Sequence, residues 1–118
     1  VLFEQGTTKL LTGETEKLSI LSSKVQNLID AGNSLEKDVS VEISGHTDTE
    51  GDFEANIKLS QKRARSILNY LTSQGIDKNR LTIKALGDQN ILRPESTPED
   101  KKVNRRVSFK VIIDDVAK

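Results

Sequence analysis

Asp48 and Arg63 are the two residues whose types and spacing can do chemistry together. Asp48 lies in a small polar loop, Gly45-His46-Thr47-Asp48-Thr49-Glu50-Gly51-Asp52, which closes an alternating apolar run. Arg63 follows inside a long helical pattern, about ten residues from its start and some 15 Å along its axis. A helical side chain leans back toward the helix N-terminus, the end at which the Asp48 loop sits. Two opposite charges held near each other without full neutralisation suit an amino-acid zwitterion. Asp48 would take the ammonium, and Arg63 the carboxylate in bidentate contact. Spacing alone fits an ordinary intramolecular ion pair better, and such a pair contributes little at a surface. If the pair grips a ligand, replacing Asp48 or Arg63 by Ala is expected to abolish binding while leaving the melting temperature nearly unchanged.

Other chemistries fit less well. His46, Asp48, Glu50 and Asp52 alternate, and oxygen-rich alternation occurs in calcium loops. The run lacks the twelve-residue frame with its terminal bidentate Glu, and the next carboxylate, Glu54, falls in the helix. No metal and no cofactor are expected. Ser44 or Thr47 beside His46 could be imagined as a nucleophile and its base. Nothing orients a third member, however, and no glycine-rich cradle follows. The chain therefore reads as non-enzymatic, with His46 a strand-end residue whose imidazole is hydrogen-bonded.

At 118 residues the chain is one domain, 1–118, with a single modest core. Eighteen basic and eighteen acidic residues give a net charge of zero, so neither nucleic acid nor anionic lipid in general is a partner by charge. Three Phe, one Tyr and no Trp offer no base-stacking platform. The absence of Cys excludes disulfides, thiol catalysis and cysteine–zinc sites. No apolar run approaches the roughly 20 residues that span a bilayer. The chain starts at Val1-Leu2-Phe3, already strand-like, and contains no Met. It reads as a fragment of a longer protein.

The elements that must position the pair follow from periodicity. Val1-Leu2-Phe3 predicts a short first strand, closed by the turn residues Gln5 to Thr8. A helix is expected from Thr12 or Gly13, with Leu18, Leu21, Val25 and Leu28 as its buried stripe and Gly32 as its cap. Val39, Val41, Ile43 and Gly45 alternate with polar residues as a half-buried strand. A second helix is expected from Asp52 or Phe53 to Gly75. Its buried face carries Phe53, Ile57, Ser60, Ala64, Ile67, Leu68 and Leu71, with Asn56, Arg63 and Tyr70 on a flank. Leu81, Ile83 and Ala85 predict the next strand, Gly87 to Pro94 a loop, and Thr97-Pro98-Glu99-Asp100 a capped helical turn. Val107, Phe109, Val111 and Ile113 predict the longest strand, with a frayed tail over 114–118. The order β-α-β-α-β-β implies an α+β fold. It is a two-layer α/β sandwich with a mixed sheet and both helices packed on one face.

A composite of short motifs then stands out: HTDTEG, Asn56, Leu59-Ser60, Arg63-Ala64, Gly75-Ile76, Arg80-Leu81, Gly87, Pro94 and Asn104-Arg105-Arg106-Val107. Together they resemble the OmpA-like (OmpA/Pal/MotB C-terminal) peptidoglycan-binding domain from Phe3 to the last strand. The resemblance implies non-covalent anchoring to peptidoglycan through the meso-diaminopimelate of the stem peptide, whose side chain ends in an ammonium and a carboxylate on one carbon. It assigns the ligand to Asp48 and Arg63, puts Thr49, Leu59 and Gly6 in the pocket region, and gives Asn56, Asn104 and Arg106 supporting roles. It further implies a periplasmic place, attached to the outer or, second choice, the inner membrane through a missing N-terminal region. A homodimer and a protein-interaction module of a stator or secretion complex are the remaining expectations. Gly6 replaces a common Asp or Asn, Ala85 a common Gly, and the Gly87–Pro94 loop is longer than usual.

Overall fold

In β1 (Lys37–His46), Val39, Val41 and Ile43 are buried, and the residues between them turn to the opposite face of the sheet. The computed structural model describes residues 1–92 and 94–115. Among these, β1 is the central strand of a three-stranded mixed sheet in the order β2-β1-β3. It runs parallel to β2 (Leu81–Gly87) and antiparallel to β3 (Val107–Asp115). Helices α1 (Glu14–Ser34) and α2 (Phe53–Ser73) pack on the same face, and the short α3 (Pro98–Asn104) falls between β2 and β3 along the chain. The fold is α+β.

The core joins Val39, Val41 and Ile43 to Leu18 and Val25 of α1, and to Ala64, Ile67 and Leu71 of α2. Asp52 caps α2 by accepting from the Ala55 N–H, and Thr97 and Asp100 cap α3 reciprocally. These are the start signals visible in the sequence.

Several expectations are corrected. The first strand is reduced to two isolated bridges, Leu2 with Arg106 and Phe3 with Leu10. The chain turns back at Gly6, whose φ of +68° is open to glycine without strain, so no run of residues stays extended. Leu28 is 40% exposed, because the buried stripe of α1 runs through Leu18, Ser22, Val25, Ile29 and Gly32 instead. Phe53, the first residue of α2, is 52% exposed and is not part of the buried face. Gly32 is not a cap: the helix continues to Ser34, and a Cβ at Gly32 would stand 2.6 Å from Val39 Cγ2. Its smallness lets α1 lie close on β1. Asp114 and Asp115 are not frayed. They pair with Asp38 and Lys37 as the end of β3, whereas 116–118 lie outside the described residues.

Candidate functional site

The site forms where α2 crosses the ends of β1 and β2. A Cβ on Gly45 would lie 1.9 Å from the Ser60 carbonyl oxygen, so only glycine lets helix and strand meet this closely. Ser60 Oγ donates to Ile57 O within the helix at 2.8 Å and accepts from the Gly87 N–H at 3.0 Å, which ties the helix to the end of β2. One turn further on, this approach sets Arg63 beneath the last residue of β1.

Arg63 is 0% exposed. Its Nε donates to Thr7 O at 2.9 Å, Nη1 to His46 O at 2.9 Å and Nη2 to Glu4 O at 3.0 Å. The Phe3 ring lies beneath the guanidinium, 5.2 Å from its carbon to the ring centroid. A guanidinium carries five N–H donors, so three of them organise the N-terminal turn and the end of β1, and two remain. Burial pushes its pKa down to about 10, with Asp48 opposing the shift and Arg105 adding to it. The group stays cationic at neutral pH.

Asp48 is 4% exposed. Its Oδ1 accepts from the Glu50 N–H at 3.1 Å, and its Oδ2 pairs with Arg105 Nη1 at 3.3 Å. Arg105 Nε in turn donates to Phe3 O at 3.2 Å. Asp48 and Arg63 therefore face one another without closing a direct ion pair among the described contacts. They share a cavity of about 240 Å³, whose wall also includes Gly6, Asn56, Leu59 and Arg105. Asn56 Nδ2 donates to Glu50 O at 3.1 Å and braces the loop. At the rim, the Glu50 carboxylate accepts from Lys101 and Gln5, and the Lys101 contact holds it below the usual carboxylate range.

Of the residues expected at the site, Asp48, Arg63, Leu59, Gly6 and Asn56 come together around this cavity. Thr49 does not line it. Its N–H donates to Glu95 Oε1 at 3.0 Å, and its hydroxyl donates to the same carboxylate. Asn104 accepts from the Leu92 N–H at 2.7 Å and donates to Glu95 Oε2 at 2.8 Å. Glu95 is thus a hub between the Asp48 loop and α3. Arg106 points to the opposite face of the sheet, where Nη2 donates to Asn90 O at 3.0 Å.

Sequence reasoning passed over Arg105, yet the alternation in Arg105-Arg106-Val107 carries the signal. Val107 is buried on the helix side, so Arg105 shares its side and Arg106 does not. Glu95 has no such signal, because its role follows from tertiary contacts with Thr49 and Asn104 that no local pattern encodes. His46, at the end of β1, hydrogen-bonds Ser108 Oγ through Nε2 at 2.9 Å. Among the described residues no group of three His, Cys, Asp or Glu side chains could hold a metal ion.

The model of the OmpA family matches residues 2–105. A probable lipoprotein YiaD of Escherichia coli is 41% identical over 70 residues, covering 59% of this chain and 32% of that protein. A peptidoglycan-binding protein ArfA of Mycobacterium tuberculosis is 30% identical over 111 residues, covering 94% of this chain and 32% of that protein. This chain therefore spans about a third of the length of these relatives. The crystal structure of the peptidoglycan-associated lipoprotein from Burkholderia pseudomallei superposes with a TM-score of 0.79 at 20% identity, covering 95% of this chain and 88% of that one. That likeness is one of fold.

Proposed function

The chain belongs to the OmpA family, and we propose that it binds peptidoglycan without covalent chemistry and anchors a longer envelope protein to the cell wall. One observation carries the reading. A buried, fully fixed guanidinium with two unused N–H donors shares a cavity with a carboxylate that it does not neutralise. A ligand bearing an ammonium and a carboxylate on one carbon complements both. In the stem peptide, that is the free end of meso-diaminopimelate. Asp48 accepts the ammonium, and Arg63 offers its two remaining N–H groups to the carboxylate. Arg105 holds the Asp48 carboxylate in place, Leu59 supports the ligand's methylenes, and Gly6 offers backbone N–H donation in place of a side chain. Asn56, and Asn104 through Glu95, keep the loop in shape, with Thr49 fixed by the same carboxylate.

Each charge-assisted contact contributes about 1.5–3 kcal/mol. One stem peptide is held modestly, and a polymer with many of them is held firmly through avidity. The relatives' names, a lipoprotein, outer membrane proteins and a peptidoglycan-binding protein, support a periplasmic place near the outer membrane. Among the described residues no helix is long and apolar enough to cross a membrane.

The test is co-sedimentation with purified sacculi, combined with titration of diaminopimelate-type and lysine-type stem peptides. Saturable binding of the former alone, lost in Asp48→Asn, is the expected result. Sacculus binding that survives Asp48→Asn would remove the clamp. Indifference to sacculi altogether would favour a protein-interaction module.

A further inference from the structure

The open face of the sheet, opposite the helices, carries a second polar cleft of about 280 Å³. Its wall includes Ser44 and His46 of β1, Lys84 of β2, Arg106 at the entrance to β3, and Ser108 and Lys110 of β3. Register explains the cluster: Ser44 is paired with Lys84 on one side and Ser108 on the other, so all three side chains emerge on one face. None of these residues takes part in the Asp48 cavity except through the backbone of His46.

Two nitrogens in this wall have no hydrogen-bond partner. His46 is 2% exposed and its Nε2 is taken by Ser108, which leaves Nδ1 unsatisfied. Arg106 donates through Nη2 to Asn90 O, while its buried Nη1 is also unsatisfied. A buried polar atom left unpaired is costly; in the tautomer in which the Ser108 hydroxyl donates to Nε2, the ring proton sits on Nδ1, and one acceptor reaching Nδ1–H and Arg106 Nη1 would satisfy both. The charge around them has one sign in excess. Arg106, Lys84 and Lys110 are cationic, and the one carboxylate in the wall, Glu42, stands 3.6 Å from Lys84 Nζ.

We propose that this cleft is an oxyanion site of the phosphate class, in which Arg106 Nη1 and His46 Nδ1–H donate from the floor and Lys84 and Lys110 close over the ligand. Several donors arriving from different strands match a tetrahedral group with three outer oxygens better than a planar carboxylate. The cleft exceeds the size of one phosphate, so the group can be carried on a larger ester. The two lysines above the floor are long and rotamer-rich, and they move aside to admit it. With its Nδ1 bonded to an anion, His46 is a better base than in the free protein, where burial and Arg106 hold its pKa down to about 4. The charged groups facing it across the cleft are Arg106, Lys84, Lys110 and Glu42.

The proposal is tested by amide and side-chain NMR at pH 6.5, titrating inorganic phosphate against sodium chloride at constant ionic strength. Saturable shifts at Ser44, His46, Arg106 and Ser108 are expected, with a raised titration midpoint of the His46 ring. Arg106→Gln should remove them, and the exposed change Lys110→Glu should weaken binding at least tenfold, with far-UV circular dichroism checking that the fold tolerates the new pair with Glu42 across the ladder. Asp48→Asn should leave them unchanged, which separates this site from wall binding. Sedimentation with phosphatidylglycerol vesicles but not phosphatidylcholine vesicles would assign the phosphate to a lipid headgroup. A response to inorganic phosphate alone would assign it to a soluble ester. Shifts no larger than those in sodium chloride, or shifts that persist in both Arg106→Gln and Lys110→Glu, would overturn the proposal.

Discussion

Arg63 has a structural task that its charge alone does not reveal. Three backbone carbonyls, of Glu4, Thr7 and His46, depend on it. Arg63→Ala would leave the His46 carbonyl unpaired in a buried place at about 1–3 kcal/mol, would loosen the partly buried turn at Glu4 and Thr7, and would empty the space of a fully buried side chain. The expectation that Arg63 is dispensable for stability is therefore reversed: urea denaturation should show a loss of at least ~3 kcal/mol. Asp48→Asn keeps an oxygen for the Glu50 N–H and should cost only about 1–2 kcal/mol, which makes it the cleaner probe of binding. His46 adds a pH dependence. Its folded pKa of about 4 lies below its ordinary 6.5, so between these values the unfolded chain binds a proton that the fold excludes. Its contribution is complete above pH 6.5 and is lost as pH falls through 4, with a slope of at most about 1.4 kcal/mol per pH unit. Urea midpoints at pH 7, 6 and 5 should fall more steeply for the wild type than for His46→Gln.

Among the elements, β1 and α2 position the site, and their contact is the least forgiving in the fold. At Gly45 a Cβ would strike the backbone carbonyl of Ser60, which can yield only if α2 moves as a body. At Gly32 the nearest obstacle is a methyl group of Val39, whose side chain can shift, with the Lys37 carbonyl oxygen at 3.1 Å as a milder backbone contact. Gly45→Ala is thus expected to lose more than ~3 kcal/mol, and Gly32→Ala about 1–3 kcal/mol. Thermal melts of the two variants would rank them, and a Gly45→Ala protein as stable as Gly32→Ala would contradict the contact. The loop carrying Asp48 is held from the far side by α3 through Glu95 and Lys101. The cavity wall therefore draws on four separate stretches of chain.

Across the whole molecule, stability should be graded around β1. This strand is paired on both sides and covered by both helices, whereas β2 and β3 are edges and α1 makes its main element contact with β1. Native-state hydrogen exchange should find the slowest amides in Val39 to Gly45, with α1 opening at lower free energy. Protection of α1 equal to that of β1 would show a more uniform cooperative unit. The helix face of β3 is incompletely covered, with Val111 and Ile113 exposed, as befits an edge strand outside the helices' reach.

The strict alternation in Val39-Ser40-Val41-Glu42-Ile43, the three-and-four spacing in α2 and the Thr97-Pro98 start signal are local patterns, so the elements and the α+β class were legible directly. Asp48 and Arg63 were legible as neighbours because one loop and one helix face bring them together. What contacts they actually make depends on residues far away in sequence: Arg105 lies 57 positions from Asp48, and Thr7 lies 56 from Arg63. A hydrogen bond is specified by where two backbones stop in space, and periodicity carries no information on that. The pairing of Asp48, the seating of Arg63 under three carbonyls, and the opposite faces of Arg105 and Arg106 were decided only when the chain closed on itself.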